Sequence, residues 1–337
     1  MKTLFINIAW DAAGCSFKQA EAINLHTDWK ARHFRYVKTF YDHSDIIPEN
    51  YNKEEFMQLI READILHFCS IPHVKNLFPN FKGFESWFSF GFDWNELVKD
   101  KIKILHDYQS FHGRWSERAE KKDYWDIADR IGYQAVFSSI PQASYIYKDC
   151  VYIPDVVNSE SEEYTPSENF NTRGIILAHF PTGDPNRKNT NELLEAIKIL
   201  KDKYNITIDT RITRDIPHKE IIKLKKESNL GFDAFWRGFH GMTTIENLSL
   251  GIPTMTSADA NFKEVFKEFH KTDFFPFEEV NNTNDIVECI KFYGTNLNEL
   301  EKRSKLIREF MLNTWNYKNI ANKIVQEYEK ILDRFGK

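Results

Sequence analysis

The sequence predicts an α/β protein of two tandem parallel-sheet domains. Three observations carry this. Short apolar runs of strand length alternate with amphipathic stretches of helical period along most of the chain, the pattern of repeated βαβ units. That alternation stops in a Ser-, Glu-, Asn- and Pro-rich stretch, Asp155–Thr172, and then restarts. The length, 337 residues, suits two domains rather than one.

In the first half, Thr3–Ala9 reads as a strand and Ser16 to Asn24 as a helix, with Ser16 as its N-cap and the loop Trp10–Cys15 between them. Arg32–Thr39 alternates and reads as a second strand. Lys53–Glu62 is helical, and Asp64–Cys69 is a buried strand. Lys103–Asp107, Gln134–Ser138 and Val151–Pro154 complete the half. The domain is expected over 1–160, with a linker at 161–172. In the second half Gly174–Ala178 is a strand and Asn191–Lys203 a helix whose Leu193, Leu194, Ile197 and Leu200 share one face. Strands follow at Ile206–Ile212, Leu230–Phe235 and Pro253–Thr256. Helices are expected at His218–Glu227, Met242–Leu250, Asn261–Phe269, Asn284–Tyr293 and Leu297–Met311. This domain spans 173–313. The segment 314–337 carries Ile320, Ile324, Tyr328 and Ile331 at helical spacing and is expected to pack back on the first domain.

Composition narrows the function. Apolar residues make up 42% and charged residues 28%, which fits a folded chain and not a disordered one. The net charge of −5 excludes a broadly basic nucleic-acid binder, so no nucleic-acid partner is expected. Cys15, Cys69, Cys150 and Cys289 form no C-x-x-C pair, so a reducing cytoplasm is the expected compartment. No apolar run reaches membrane-span length, and the N-terminus reads as a strand and not as a signal peptide. Four nucleotide or hydrolase signatures are absent: G-x-G-x-x-G, the P-loop, H-E-x-x-H and G-x-S-x-G. No D-x-D clamp is present either, so no metal site is expected.

The most informative segment is Phe239–Ser257, FHGMTTIENLSLGIPTMTS. A glycine-containing loop runs into a short helix that stops at Gly251-Ile252-Pro253. The N–H groups of Gly241, Met242 and Thr243 would face whatever lies above the helix, and amides and dipole together favour an anion such as a diphosphate. Glu246, one turn in, could accept two hydrogen bonds from a ribose diol. An ordinary capped helix with a surface glutamate is the other reading of the same residues.

This segment resembles the signature of retaining GT-B glycosyltransferases of family 4, roughly E-G-F-G-x-x-x-x-E-A-M-A-x-G-x-P-V. Further segments resemble the family in the right order. ADILHFCS and KILHDYQSFHG resemble its N-domain strands, which end in His-bearing loops, and VYIPDVVNSESEEY resembles its hinge. HFPTGDPNRKNTNELLEAIKIL resembles its first C-domain strand, basic loop and helix. IPHKEIIKLKKESNLGFDAF resembles the stretch before the signature, and TWNYKNIANKIVQEYEKIL the closing helix. The resemblance covers nearly the whole chain. It departs at three points: the first glutamate of the signature is Gly238, the usual phosphate-binding arginine is Thr182, and the glycine after the loop lysine is Asn189.

The resemblance implies a GT-B fold, two Rossmann-like domains facing each other across a cleft, and sugar transfer from a UDP- or GDP-linked donor. No other cofactor is implied. The acceptor would be a glycan, a lipid-linked acceptor or another glycoconjugate. It implies donor binding by Arg187, Lys188, Gly241, Met242, Thr243 and Glu246. It implies a catalytic-side position for His106 and Asp107 at the end of a strand, with His67 and His112 as alternatives, and an acceptor-side loop at Gly14, which a tight turn would equally explain. A catalytically weak nucleotide-binding relative and a nucleotide-sugar epimerase are the alternatives. Peripheral contact with the inner face of a membrane is attached to Lys30, Arg32, Arg35 and Lys38 and to Lys99, Lys101 and Lys103. The solvent faces of strands are the other reading of these.

Overall fold

The computed structural model describes residues 1–7, 14–35, 52–69, 94–107, 132–141, 150–167, 173–181, 188–235 and 240–336. The chain divides into two compact units, Met1–Asp155 with Tyr317–Lys337, and Val156–Asn316.

The first unit is built on β1 (Lys2–Asn7), α1 (Cys15–His26), β2 (Lys30–Arg35), α2 (Lys53–Glu62), β3 (Ile65–Cys69), α3 (Trp94–Val98), β4 (Ile102–Asp107), β5 (Ala135–Ser138) and β6 (Val151–Tyr152). Its sheet is parallel in the order β2-β1-β3-β4-β5-β6. The inner strands β3 and β4 are buried along their whole length, polar His67, Lys103, His106 and Asp107 included. Asn52 starts α2 by accepting the amides of Glu54 and Glu55 at 2.9 and 3.3 Å. The start of α1 corrects the expected cap. Gly14, left-handed at φ 64°, holds the N-cap position, while the Ser16 hydroxyl pairs instead with His33 Nε2 at 2.8 Å. The positive charges proposed to face a membrane are also partly elsewhere. Arg35 and Lys103 are buried, Lys101 donates to the carbonyls of Arg61 and Ala63, and Lys99 pairs with Glu96. Lys30 and Arg32 of β2 and Lys99 are exposed, and Lys38 lies outside the described residues.

The second unit contains β7 (Ile176–His179), α4 (Thr190–Tyr204), β8 (Asp209–Ile212), α5 (His218–Lys226), β9 (Leu230–Phe232), α6 (Met242–Ser249), β10 (Thr254–Thr256), α7 (Ala260–His270), β11 (Phe277–Glu279), α8 (Thr283–Thr295) and α9 (Leu297–Asn313). Its parallel sheet runs β11-β10-β9-β7-β8. Leu177, Leu193, Leu200, Leu230, Phe232, Met255, Ile286 and Ile290 form its core. Leu194, expected on the apolar face of α4, is 48% exposed, and Ala196 takes the buried place. Asp259 and Asn282 cap α7 and α8 through their side chains. Gly251 ends α6 in the left-handed region at φ 71°, and a Cβ there would meet Ser304 Oγ at 3.2 Å. The described part of the expected linker, 161–167, is anchored chain and not a free tether. Tyr164 is buried, and the Lys226 ammonium donates to the Glu162 carbonyl at 3.1 Å.

Trp315 is buried in the second unit against His240, His270 and Phe266. Two residues later α10 (Tyr317–Arg334) begins, and it packs in the first unit against α1. Its buried stripe of Ile320, Ile324, Tyr328 and Ile331 has the helical period of the sequence. The Tyr317 hydroxyl donates to Glu21 at 3.0 Å, and the Tyr328 hydroxyl lies 2.5 Å from His67 Nδ1. None of the described helices is long and apolar enough to cross a membrane.

Candidate functional site

The sheet of the second unit turns around between β7 and β9. The chain leaves β7 for β8 on one side and returns for β9 on the other. Open parallel sheets place ligands beyond the carboxyl ends of the strands at such a reversal. Here those ends carry His179, the last residue of β7, and Asp233, the first residue after β9.

Asp233 organises the site. Its Oδ1 lies 2.6 Å from Lys188 Nζ, and its Oδ2 accepts the Gly241 amide at 2.9 Å and the Thr244 hydroxyl at 3.0 Å. The carboxylate is buried, and burial alone would push its pKa up. The Lys188 ammonium and the two other donors outweigh that and hold it below the ordinary aspartate value. A Cβ at Gly241 would fall 2.8 Å from Asp233 Oδ2 and 3.3 Å from Lys188 Nζ, so any side chain there would force the pair to shift.

The loop ahead of α4 explains why asparagine replaces the usual glycine. Asn189 is left-handed at φ 52°, a conformation asparagine tolerates better than most residues. Its Oδ1 accepts the Phe235 amide at 3.1 Å, which ties the loop bearing Lys188 to the segment after β9. His179 fixes the other side. Its Nδ1 faces the Phe232 carbonyl at 3.1 Å and so carries the proton. Its Nε2 therefore accepts from the Thr190 hydroxyl at 2.8 Å. Burial lowers its pKa to about 4, which keeps the ring neutral.

One turn into α6, Glu246 meets α5. His218 and Lys225 stand seven residues apart and so share a face of that helix. Lys225 Nζ lies 2.6 Å from Glu246 Oε2 and donates to the Thr243 carbonyl at 3.3 Å. His218 Nε2 lies 2.9 Å from Glu246 Oε1, and its Nδ1 lies 3.4 Å from Glu163. Lys225 is fully buried and Glu246 nearly so.

The structure thus brings Lys188, Gly241, Met242, Thr243 and Glu246 together and alters two of their expected roles. The Gly241 amide is taken by Asp233. Among the described residues the amides of Met242 and Thr243, in the first turn, have no partner. Glu246 is engaged on both oxygens instead of presenting a bare carboxylate. Sequence reasoning missed Asp233, Lys225, His218 and His179. The i, i+7 spacing on α5 was a readable signal for two of them. Arg187 and Gly238 lie outside the described residues.

The residues expected on the catalytic side belong to the first unit. His106 does not open into a loop. It sits inside β4, fully buried, with Nδ1 2.9 Å from His67 Nε2, and burial and the neighbouring His67 hold its pKa well below the ordinary value. Asp107 ends the same strand and is also buried, and its carbonyl accepts the Ser138 hydroxyl at 2.9 Å. Gly14 is accounted for by the left-handed turn before α1.

No family model matches the chain, and no curated protein matches it significantly. Solved structures do. Sucrose-phosphate synthase of Thermosynechococcus elongatus is 13% identical with a TM-score of 0.63, covering 99% of this chain and 100% of that one. HepE of Anabaena in complex with UDP is 10% identical with a TM-score of 0.63, covering 98% and 100%. UDP-GlcNAc 2-epimerase of Neisseria meningitidis is 10% identical with a TM-score of 0.50, covering 98% and 100%. A likeness that spans whole chains at such low identity is one of fold, and with the two parallel α/β units it shows that this chain has the GT-B fold.

Proposed function

We propose that this chain is a glycosyltransferase that binds a nucleotide-diphosphate sugar on its second unit and passes the sugar to a glycan, lipid-linked or other glycoconjugate acceptor. The observation that carries this is the convergence of Lys188 and the first turn of α6 at the sheet reversal. Loss of the sugar leaves negative charge on the diphosphate, and a fixed ammonium, open amides and a helix N-terminus are the groups that stabilise it. The resemblance to family 4 supports transfer with retention of configuration, in which the leaving phosphate assists removal of the acceptor proton. The lack of a D-x-D clamp in the sequence supports transfer without a metal. Glu246 is the residue proposed to meet the ribose. In that reading, Lys225 and His218 hold its carboxylate.

The likeness to a UDP-GlcNAc 2-epimerase favours a second reading, epimerisation of a nucleotide sugar. One assay separates the two. UDP- and GDP-sugars are incubated with the chain, with and without glycan acceptors, and free nucleotide and sugar stereochemistry are measured. Nucleotide release that accelerates with an acceptor supports transfer. Epimerised donor without any acceptor supports the second reading, and neither product from any donor rejects both.

A further inference from the structure

The site proposed to take a diphosphate already contains an anion. Asp233 receives three donors at 2.6 to 3.0 Å from three places in the chain: Lys188 ahead of α4, Gly241 at the start of α6, and Thr244 inside it. The pair is layered. The Lys188 side chain is 23% exposed and that of Asp233 only 2%, so the lysine is the accessible member of the pair and the carboxylate the buried one. An incoming phosphate therefore meets the ammonium with an opposing charge close behind it. The pair sums to zero charge before any ligand arrives, and the attraction left comes from the α6 dipole and the amides of Met242 and Thr243.

We infer that Asp233 is the resident counter-ion of this site: it positions Lys188 toward solvent and holds down the affinity for a nucleoside diphosphate, so that this product leaves after transfer. The inference rests on the reading of the site as a diphosphate site. Asp233 touches Lys188, the Gly241 amide and the Thr244 hydroxyl rather than the reacting atoms, so it is a positioning residue. The expected sign of its removal follows from geometry. In Asp233→Asn the side-chain oxygen can keep the Gly241 and Thr244 contacts, while the amide nitrogen placed against Lys188 cannot pair with it. One negative charge is lost from behind the phosphate and the ammonium is left for the ligand. A protein that merely loses structure would bind less tightly, not more.

The test is calorimetric titration of UDP and of GDP into the full chain at low and high salt, using wild type, Asp233→Asn, Lys188→Ala and the double variant, with melting curves as a folding check. Asp233→Asn should bind about tenfold more tightly at low salt, with a steeper loss of affinity as salt rises. The double variant should bind no more tightly than Lys188→Ala alone. Equal or weaker binding by a folded Asp233→Asn, with wild type binding normally, overturns the counter-ion role and leaves the nucleotide reading standing. If neither wild type nor Asp233→Asn binds either nucleotide, the nucleotide reading itself fails. If Asp233→Asn does not fold, Asp233→Ser makes the same comparison, because it too removes the charge behind Lys188.

Discussion

Replacing Lys225 with methionine isolates the pairing that holds Glu246. The two side chains have nearly the same length, so the change removes a charge and leaves the volume. In the native protein Lys225 Nζ lies 2.6 Å from Glu246 Oε2 with both groups out of water. After the change, Glu246 keeps the His218 contact on α5, and the Thr243 carbonyl loses its contact with Lys225. Removing one member of a buried ion pair costs about 3–5 kcal/mol, because the remaining charge stays buried without compensation. Neutralising Glu246 as well, in Lys225→Met with Glu246→Gln, removes most of that penalty. The double variant should therefore recover more than half of the loss, with a coupling energy of about 2 kcal/mol or more. Urea unfolding of the four proteins, followed by far-ultraviolet circular dichroism, measures the cycle, and an unchanged slope would show that only stability moved. A cost below about 1 kcal/mol for Lys225→Met, with no coupling to Glu246, would mean that the pair is solvated and the reasoning wrong.

Other outcomes follow from the same geometry. Gly241→Ala places a methyl 2.8 Å from Asp233 Oδ2 and should cost about 1–3 kcal/mol in a melting experiment and weaken UDP binding at the same time. Acid should destabilise both units. Burial lowers His67 and His270 to about 3 and His179 and His240 to about 4, so the unfolded chain binds more protons than the folded one from the ordinary histidine value downward. The stabilisation from these neutral rings is complete above pH 6.5 and is lost as pH falls toward 4, at about 3 kcal/mol for His179 alone. A denaturation midpoint that stays flat between pH 7 and pH 4.5 would contradict it. Tyr328→Phe removes the hydroxyl beside His67 Nδ1 and should cost about 1–3 kcal/mol in the first unit, read as faster hydrogen exchange of α10 amides.

The regular elements were legible because burial and local chemistry agreed on them. Helix α2 has the expected bounds, Lys53–Glu62, since its asparagine cap and acidic first turn both mark the start. Strands β3 and β4 lie within a residue of expectation because Ile65, Leu66 and Phe68 in one and Ile102, Ile104 and Leu105 in the other cluster within a strand length. The three-residue strand β11 and the five-residue helix α3 were not seen. They are too short to show a period, and β11 follows a Phe-rich stretch interrupted only by Pro276. The solvent-face reading failed at β2, where Arg35, three residues from the exposed Arg32, shares the face of the buried Ala31 and His33 and is itself buried. The site divided in the same way. Lys188 and the start of α6 could be read from a basic loop and a glycine before a helix. Asp233 could not, because a single carboxylate after a strand carries no pattern, and only the fold brings it to Lys188 forty-five residues away. His106 is ambiguous in sequence for a related reason. A histidine near a strand end looks the same in sequence whether it faces a cleft or, as here, pairs with another histidine in the core.

The central claim, that Lys188 and the first turn of α6 receive the donor's diphosphate, is tested most directly by a crystal structure of this chain grown with UDP or GDP. The diphosphate oxygens should lie about 3 Å from Lys188 Nζ and from the amide of Met242 or Thr243, with the ribose on the side of Glu246. Nucleotide bound elsewhere, with Lys188 still facing Asp233 alone and no phosphate at the start of α6, would contradict it.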